Sequence, residues 1–249
     1  MVLLLPTVVT AALHGGIDFT SRRSALSLAF GSAVSIGLPP RSAIADSSDS
    51  SERQTLLNLI AADAAESDVL SAITALQPLD PTSGKAALSD ALDGRWELLW
   101  SAGAQNFSPL LGLPKPIRPR SIQLLGEAAS AQVGAGRVGN ILELPLGVSF
   151  LLSSDVGPLD GEPATLEIRP PFRFEVAGPG GARTQLVEAG SDAEFRALNA
   201  RDSDAQAAPK NRYVQTYLEM SGRSGDLRIS TVASGDPVIV GSVFVHRRL

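Results

Sequence analysis

The chain contains no cysteine. This absence excludes disulfide bonds, thiolate zinc sites and cysteine nucleophiles together. Histidine is nearly absent as well, since His14 lies close to the start of the sequence and His246 close to its end. Most metal centres and catalytic triads therefore lack a required residue, and we expect no metal, no cofactor and no catalytic residues.

Aromatic residues are scarce too, at 5% of the 249 residues, although hydrophobic residues reach 44%. The chain can therefore build a core, but mainly from Leu, Val, Ile and Ala. Each large ring then supplies a disproportionate share of the buried apolar area. The few rings are the first candidates for a core or a binding pocket.

Acidic residues are rare in residues 1–45, which hold three arginines, no lysine and one acid. This composition is typical of a targeting leader that is removed. Residues 2–13 form an apolar run too short to span a bilayer. Arg22 and Arg23 then precede a second apolar run, and residues 43–45 have an A-x-A cleavage pattern. The arrangement resembles the multipartite leader of an algal plastid protein delivered to the thylakoid lumen; a single long bacterial export signal and an uncleaved membrane anchor are the alternatives.

Removal of residues 1–45 would take away three of the 21 basic residues and one of the 26 acidic residues. The remaining 18 bases and 25 acids give a net charge of −7. A chain this acidic is a poor ligand for nucleic acid, so we expect no nucleic-acid partner.

The mature chain is predicted to be a tether, residues 46–51, followed by one domain over residues 52–249. Asp49 and Glu52 have capping-box spacing, which predicts a short amphipathic helix, and a second helix and a third helical turn follow before residue 92. Such short helices cannot bury their apolar faces alone. We expect them to pack against the β structure that follows, at one end of it.

Residues 92–101 mark the change from helical to strand patterning. Trp96, Leu98 and Trp100 recur at period two, with Arg95, Glu97 and Ser101 on the other side, which predicts a strand that opens at a Gly94 corner with all three on one face. Short β-rich segments then recur without a helix until residue 191: 122–125, 138–144, 148–152, 165–169, 172–176, 184–188, 213–220, 226–232 and 238–246. This set predicts a mainly β protein with an antiparallel β-barrel, because closure removes exposed edges; a β-sandwich is the alternative. Residues 191–212 lack strand patterning and are predicted to be an insertion.

Two patterns invite an enzymatic interpretation. Residues 134–139 match G-x-G-x-x-G, but a β pattern rather than a helix follows them, so we interpret them as a glycine-rich hairpin turn. A hydrolase would use the paired carboxylates Asp155 and Asp160, or a serine with His246 as its base. The two aspartates lie among ordinary turn-forming residues. We therefore expect a protein that is not an enzyme.

The loop from Pro109 to Arg120 contains four prolines and is rigid and apolar, with basic residues at Lys115, Arg118 and Arg120. Its leucines and its positive charge predict contact with a membrane surface. Packing over the mouth of the barrel is the alternative.

Two short motifs carry a resemblance to a known family. A Leu-x-Gly-x-Trp-x-Leu-x-aromatic-Ser/Thr motif is matched at Leu92, Gly94, Trp96, Leu98, Trp100 and Ser101. A Thr-Tyr-Leu-acid segment at residues 216–219 is followed by Leu-Arg-Ile at residues 227–229, and Gln123 and Asn140 stand at two further positions. In these features residues 51–249 resemble the plastid lipid-associated proteins, also called fibrillins. Glu219 in place of an aspartate and the insertion at residues 191–212 depart from the family pattern.

The resemblance implies a lipocalin-like barrel, in the chloroplast, that holds small hydrophobic molecules or associates with plastoglobules and thylakoid membranes. We therefore expect a carrier or buffer of an isoprenoid, quinone, carotenoid or lipid in the thylakoid lumen. A structural coat protein at the plastoglobule or thylakoid membrane surface, without an internal ligand, is the alternative.

A barrel pocket is lined by aliphatic and aromatic side chains with a few polar groups. The candidate ligand-binding residues are Trp96, Trp100, Phe150, Phe172, Phe174, Tyr217 and Arg228. For each ring, ordinary core packing is the alternative. For Arg228, contact with a carboxylate or quinone oxygen competes with an internal salt bridge to Glu219 or Asp226.

Overall fold

The structure is a computed structural model that describes residues 46–103, 109–114, 117–189 and 210–249. The predicted leader, most of the predicted insertion and Lys115 lie outside the described residues. None of the described helices is both long and apolar enough to cross a membrane.

The described residues include three α-helices: α1 (Asp46–Ala61), α2 (Glu66–Leu76) and α3 (Gly126–Val133). Helix α1 includes residues 46–51, for which a tether is predicted. Those six residues are all Asp or Ser. Both residue types cap helices well, so the sequence does not single out one starting point. Where a third helical turn is predicted, the chain forms two 3₁₀ turns, Ala86–Leu88 and Asp90–Leu92.

Nine strands form one antiparallel sheet. They are β1 (Gly94–Ala102), β2 (Arg120–Leu125), β3 (Arg137–Glu143), β4 (Ser149–Leu159), β5 (Glu162–Ala177), β6 (Arg183–Ala189), β7 (Asn211–Leu218), β8 (Leu227–Ser234) and β9 (Val243–Arg248). Eight of them close into a barrel in the order β1-β2-β3-β4-β5-β7-β8-β9, with β9 paired back onto β1. Strand β6 pairs with the second half of β5, beyond the segment that pairs with β7. The predicted antiparallel β-barrel is confirmed.

The prediction that no helix interrupts the strands before residue 191 is wrong. Helix α3 lies between β2 and β3, and its eight residues are too few to give a helical period in the sequence. The G-x-G-x-x-G segment is consequently not a hairpin turn but the turn from α3 into β3. Gly134 ends α3 with φ 102°, a backbone conformation that favours glycine.

Strand boundaries differ from the prediction in two further places. The segments predicted at residues 165–169 and 172–176 belong to one long strand, β5, and β9 begins at Val243 rather than at residue 238. Asp155, predicted to lie in a turn, is in β4 and pairs with Arg137 of β3 and Arg169 of β5. Pairing on both sides keeps this Ser-, Gly- and Pro-containing segment extended although its intrinsic β propensity is low.

A β-bulge divides β1 into two parts. Leu98 pairs with His246 and Trp100 with Val245, so Leu99 is the extra residue. One extra residue reverses the alternation of side chains. Trp96 and Leu98 therefore point into the barrel, whereas Trp100 packs with α1 and α2 on the outside. The prediction that the three side chains share one face is wrong for Trp100.

Apolar clusters cover two sides of the barrel wall and one end. Helices α1 and α2 pack on the outer face of β7, β8 and β9 through Leu56, Val69, Ile73, Leu76, Tyr217, Leu227, Ile229 and Val245. Helix α3 covers β2, β3 and β4 through Ala129, Val133, Ile122, Leu124, Ile141 and Leu151. The two 3₁₀ turns close one end, where Ala86 and Leu92 pack against Trp96, Leu125 and Leu218. The closed end is thus formed by the 3₁₀ turns, while α1 and α2 lie along the wall. The opposite end, which we call the mouth, carries the β1–β2, β3–β4 and β8–β9 connections.

Candidate functional site: a polar cavity inside the barrel

The barrel encloses a cavity of about 70 Å³. Pockets for drug-sized ligands are larger, about 300–1,000 Å³, so this cavity takes a small group or one end of a longer molecule. Its apolar lining is Leu98, Leu111, Leu125, Leu152, Leu166, Ile168, Phe172, Tyr213, Ile239 and Phe244. Its polar lining is Ser121, Gln123, Asn140, Ser154, Asn211, Gln215, Arg228, Ser230, Asp236 and His246. The cavity therefore suits an amphiphilic occupant better than a purely apolar one.

Arg228 is the central charged group of this lining and is only 1% exposed. Its Nη2 donates a hydrogen bond to Oε1 of Gln123. Gln123 in turn donates from Nε2 to Oδ1 of Asn140 at 2.9 Å, across the β2–β3 pair. The guanidinium carbon lies 5.2 Å from the centroid of the Trp96 ring, within the range of a cation–π contact. The guanidinium of Arg228, on β8, is thus held by contacts from β1 and β2.

No carboxylate among the described residues forms an ion pair with Arg228. Glu219, one predicted partner, pairs with Arg53 at 2.7 Å, and Asp226, the other, faces Arg248 at 3.7 Å. Both acids lie just outside β7 and β8 at the closed end, whereas the Arg228 side chain points inward. Burial, together with the positive charge of Arg248, lowers the pKa of Arg228 to about 9. Arg228 therefore remains a cation at neutral pH, without a negative partner in the described structure.

His246 faces Arg228 directly across the β8–β9 pair and is 7% exposed. Burial, with a smaller effect of the Arg228 charge, holds the pKa of the imidazole well below its usual range. His246 is therefore neutral at pH 7. Its Nδ1, Nε of Arg228 and Oε1 of Gln215 are buried and have no hydrogen-bond partner among the described residues. Buried polar atoms without partners are uncommon in folded proteins and call for a bound water or ligand as their explanation.

Of the seven candidate ligand-binding residues, the structure places Phe172 and Arg228 on the cavity wall. Trp96 lies beneath the cavity, fully buried, and its indole N–H donates to the Leu92 carbonyl at 2.9 Å. Trp100 and Tyr217 lie outside the barrel against α1 and α2. The structure thus divides the candidates between the cavity, the closed end and the outer core.

Phe150 and Phe174 stack on each other, with ring centroids 5.8 Å apart. By alternation along β4 and β5 they share the inward face with the cavity residues Leu152 and Phe172. They belong to the part of the sheet beyond the segment where β5 pairs with β7, toward the mouth. These two rings extend the apolar lining above the cavity and do not line it directly.

Sequence reasoning missed most of the polar lining. Gln215, Ser230 and His246 were not predicted as ligand contacts, although they occupy inward positions on β7, β8 and β9 in line with Arg228. The available signal was the repeated polar residue between apolar neighbours on consecutive strands, which a solvent-facing side of a sheet gives equally well. Only the covering of the outer wall by helices distinguishes the two cases.

Neither of the paired carboxylates, Asp155 and Asp160, is among the residues that line the cavity, whereas His246 is. Asp155 accepts a hydrogen bond from Nη1 of Arg137 at 2.8 Å, and the same guanidinium donates to Ser153 and to the carbonyl of Pro171. Asp160 lies in the turn between β4 and β5.

The loop from Pro109 to Arg120 has one buried and one exposed part. Leu111 is 5% exposed and lines the cavity, whereas Ile117 is 56% exposed.

Comparison with family models supplies the remaining observation. Residues 50–148 match the model of the PAP_fibrillin family. This segment is therefore similar to the PAP/fibrillin family. The match confirms the predicted resemblance and covers α1, α2, the 3₁₀ turns, β1, β2, α3 and β3, including Trp96, Gln123 and Asn140. Arg228 and His246 lie beyond the matched segment. Searches of curated proteins and of solved structures found no match.

The PAP/fibrillin family is associated with plastids, at plastoglobules or thylakoids, and this chain is similar to that family over residues 50–148. The family is one of lipid-associated structural and binding proteins rather than of enzymes. A barrel with an internal cavity is compatible with this lipid-associated function.

Proposed function

We propose that this PAP/fibrillin barrel binds a small lipophilic molecule through its mouth and carries or buffers it in the chloroplast thylakoid. The observation that carries the proposal is the cavity, half of whose 20 lining residues are apolar. The cavity holds one end of the ligand, and the apolar side chains toward the mouth contact the rest. The protein binds the ligand by burying its apolar surface in a cavity of matching shape, and no covalent bond is made or broken.

Native mass spectrometry of the full chain purified from chloroplasts tests this function. We expect a non-covalent lipophile at one copy per chain, which organic extraction removes. Ser230→Phe fills the cavity from β8, where Ser230 is 3% exposed, and should abolish the bound species. Ala233→Phe is the matched control, because Ala233 is exposed on the same strand. A wild-type protein that is empty in every preparation would contradict the carrier function and favour the coat protein.

A contact between the mouth and a lipid surface is the second candidate, and exposed apolar side chains favour it. Ile117, Leu146, Val238 and Val240 are 56%, 90%, 51% and 45% exposed, and all four lie in connections at the mouth. Exposed apolar side chains gathered at one end of a protein are typical of a membrane or partner contact. Such a contact would also let a lipophile enter the barrel directly from the lipid phase.

Co-sedimentation with galactolipid vesicles tests this contact. The double variant Leu146→Ser/Val238→Ser should lower vesicle binding severalfold. Leu88→Ser/Met220→Ser is the matched control, because those side chains are also exposed but lie at the closed end. Equal loss in both double variants would show that the contact is not located at the mouth.

We propose the thylakoid lumen as the destination, on the strength of the Arg22-Arg23 pair and the A-x-A pattern at residues 43–45. Import of the full chain into isolated chloroplasts tests it. The processed protein should resist protease added to intact thylakoids, and Arg22→Lys/Arg23→Lys should leave it in the stroma. A protease-sensitive mature protein on the thylakoid surface would contradict the lumenal location.

A further inference from the structure

We propose that the ligand is an amphiphilic acid, such as a free fatty acid, whose carboxylate binds Arg228 inside the barrel. This inference rests on the proposed function, because it names the chemical class of the molecule that the cavity receives. It is carried by the juxtaposition of a fully buried guanidinium, which has no ion-pair partner among the described residues, with a cavity that opens toward apolar side chains.

Arg228 and its neighbour Arg248 differ in how their positive charges are compensated. Two arginines flank the ring of Trp96, with guanidinium carbons 5.2 Å (Arg228) and 4.4 Å (Arg248) from its centroid. Arg248 is compensated, since it faces Asp226 at 3.7 Å and donates to the carbonyls of Ala91 and Asp93. Arg228 has no such compensation among the described residues. A buried charge without a partner is strongly unfavourable, so the site is complete only when an anion is present.

Two other titratable groups, His246 and Asp236, lie on the wall of the same cavity as Arg228. His246 is neutral at pH 7, and the remaining acid on the cavity wall is Asp236. Asp236 forms no ion pair with Arg228, and its Oδ1 caps the β8–β9 connection by accepting the Val238 N–H at 2.9 Å. Asp236 lies in the β8–β9 connection at the mouth, so the inner end of the cavity presents the positive charge of Arg228 without a paired carboxylate among the described residues, and a carboxylate of the ligand can pair with it there.

Most hydrogen-bond donors of the Arg228 guanidinium have no acceptor among the described residues. A guanidinium has five N–H donors, and Arg228 uses one of them, toward Gln123, among the described residues. Nη1 of Arg228 makes no hydrogen bond within that part of the chain. The planar fork of arginine matches the two oxygens of a carboxylate better than a hydroxyl or a quinone oxygen. The site is therefore built for an acid head group rather than for a neutral one.

The size of the cavity limits how much of the ligand it can hold. A cavity of about 70 Å³ accommodates a carboxylate and the first carbons of a chain, and no fused ring system. The cavity has an apolar route outward to the mouth for the hydrocarbon chain of the ligand. It is lined by Leu98 on β1, Phe244 on β9, and Leu111 and Ile239 in the mouth connections. The acid therefore enters head first, and its tail remains near the mouth.

Calorimetric titration of the ligand-stripped full chain with laurate and with dodecanol tests the proposal. Laurate should bind at least tenfold more tightly than dodecanol. Gln123→Glu is the sharpest variant, because it keeps the side-chain size and gives Arg228 an internal carboxylate. It should weaken laurate binding at least tenfold and remove the preference for laurate over dodecanol. Arg228→Gln should do the same, and Arg223→Gln, an exposed arginine replaced in the same way, should change neither.

The outcomes separate this inference from the function on which it rests. Equal affinity for laurate and dodecanol, unaffected by Gln123→Glu, would overturn the acid-binding site and leave the carrier function standing. Tighter binding of dodecyl phosphate than of laurate would overturn the assignment of a carboxylate. Failure of every one of these probes to bind the wild-type protein would contradict both proposals.

Discussion

Replacing Arg228 with methionine is expected to stabilise the ligand-free protein. Burial first, and the charge of Arg248 second, lower the pKa of Arg228 well below the ordinary value of an arginine, to about 9. A base with a lowered pKa destabilises the folded state wherever it stays protonated there, which for Arg228 is below about pH 9. At about 1.36 kcal/mol per pKa unit, the shift corresponds to a cost of about 5 kcal/mol at neutral pH. Methionine removes that cost and fills much of the same volume.

Two losses oppose this gain. The cation–π contact between Arg228 and Trp96 contributes about 1–2 kcal/mol. Oε1 of Gln123 loses its donor, which costs about 1–3 kcal/mol. Together the two losses are about 2–5 kcal/mol, so the net change is a gain of about 0–3 kcal/mol in the free energy of unfolding. Its midpoint, about 1.5 kcal/mol, corresponds to a rise of about 3–6 °C in Tm for a domain of this size.

Urea unfolding of ligand-stripped protein at pH 7 measures the difference. Arg223→Met is the control, because Arg223 is exposed and its replacement should change stability by less than about 0.5 kcal/mol. If Arg228→Met is instead less stable than the control by more than about 1 kcal/mol, the guanidinium is compensated within the protein. Arg228 would then not need an anionic ligand to balance its charge. In excess laurate the order should reverse, because only the wild type gains the free energy of binding.

Three further variants test other parts of the structure. The imidazole of His246 has a pKa well below its usual range in the folded state, so below about pH 6.5 the unfolded chain takes up a proton that the folded chain does not. Stability should fall with decreasing pH by up to about 1.4 kcal/mol per pH unit from this group, and His246→Gln should remove that part of the slope in urea titrations. Gly126 has φ 57°, and a Cβ there would lie 1.6 Å from Oδ1 of Asp93, so Gly126→Ala should lower Tm clearly more than Gly161→Ala, where φ is 78° and nothing lies within 4 Å; equal shifts would show that Asp93 moves aside freely. Trp96→Phe leaves the Leu92 carbonyl without its donor and should cost about 1–3 kcal/mol more than Trp100→Phe in the free energy of unfolding.

Much of the architecture was accessible from sequence because strand patterning and turn residues recur from Gly94 to Arg248. The strands containing Trp96, Ile122, Val138 and Thr184 fall within a few residues of their predicted positions. The bulge at Leu99 was not accessible, because Leu98, Leu99 and Trp100 form an apolar run that does not show which of them is the extra residue. Helix α3 was missed for a related reason, because two turns of helix are shorter than the window in which its period can be recognised.

The candidate site could be predicted only in part, because this barrel wall is apolar on its outer side as well. On β8, Leu227 and Ile229 face α1 and α2, whereas Arg228 and Ser230 face the cavity. Alternation alone assigns apolar residues to the interior of a barrel, which is how Trp100 and Tyr217 became pocket candidates. The sequence shows that two faces differ, and only the helices show which face is inside.

This inverted pattern links the stability of the fold to its proposed function. Burial of the helices against the outer wall supplies an apolar core that does not depend on how the barrel is filled. The interior is then free to keep a hollow, polar centre, which a small single-core barrel must fill with side chains to remain stable. An unpaired Arg228 is tolerable in such a protein because the outer core offsets its cost. The same charge would unfold a barrel whose only core lay inside.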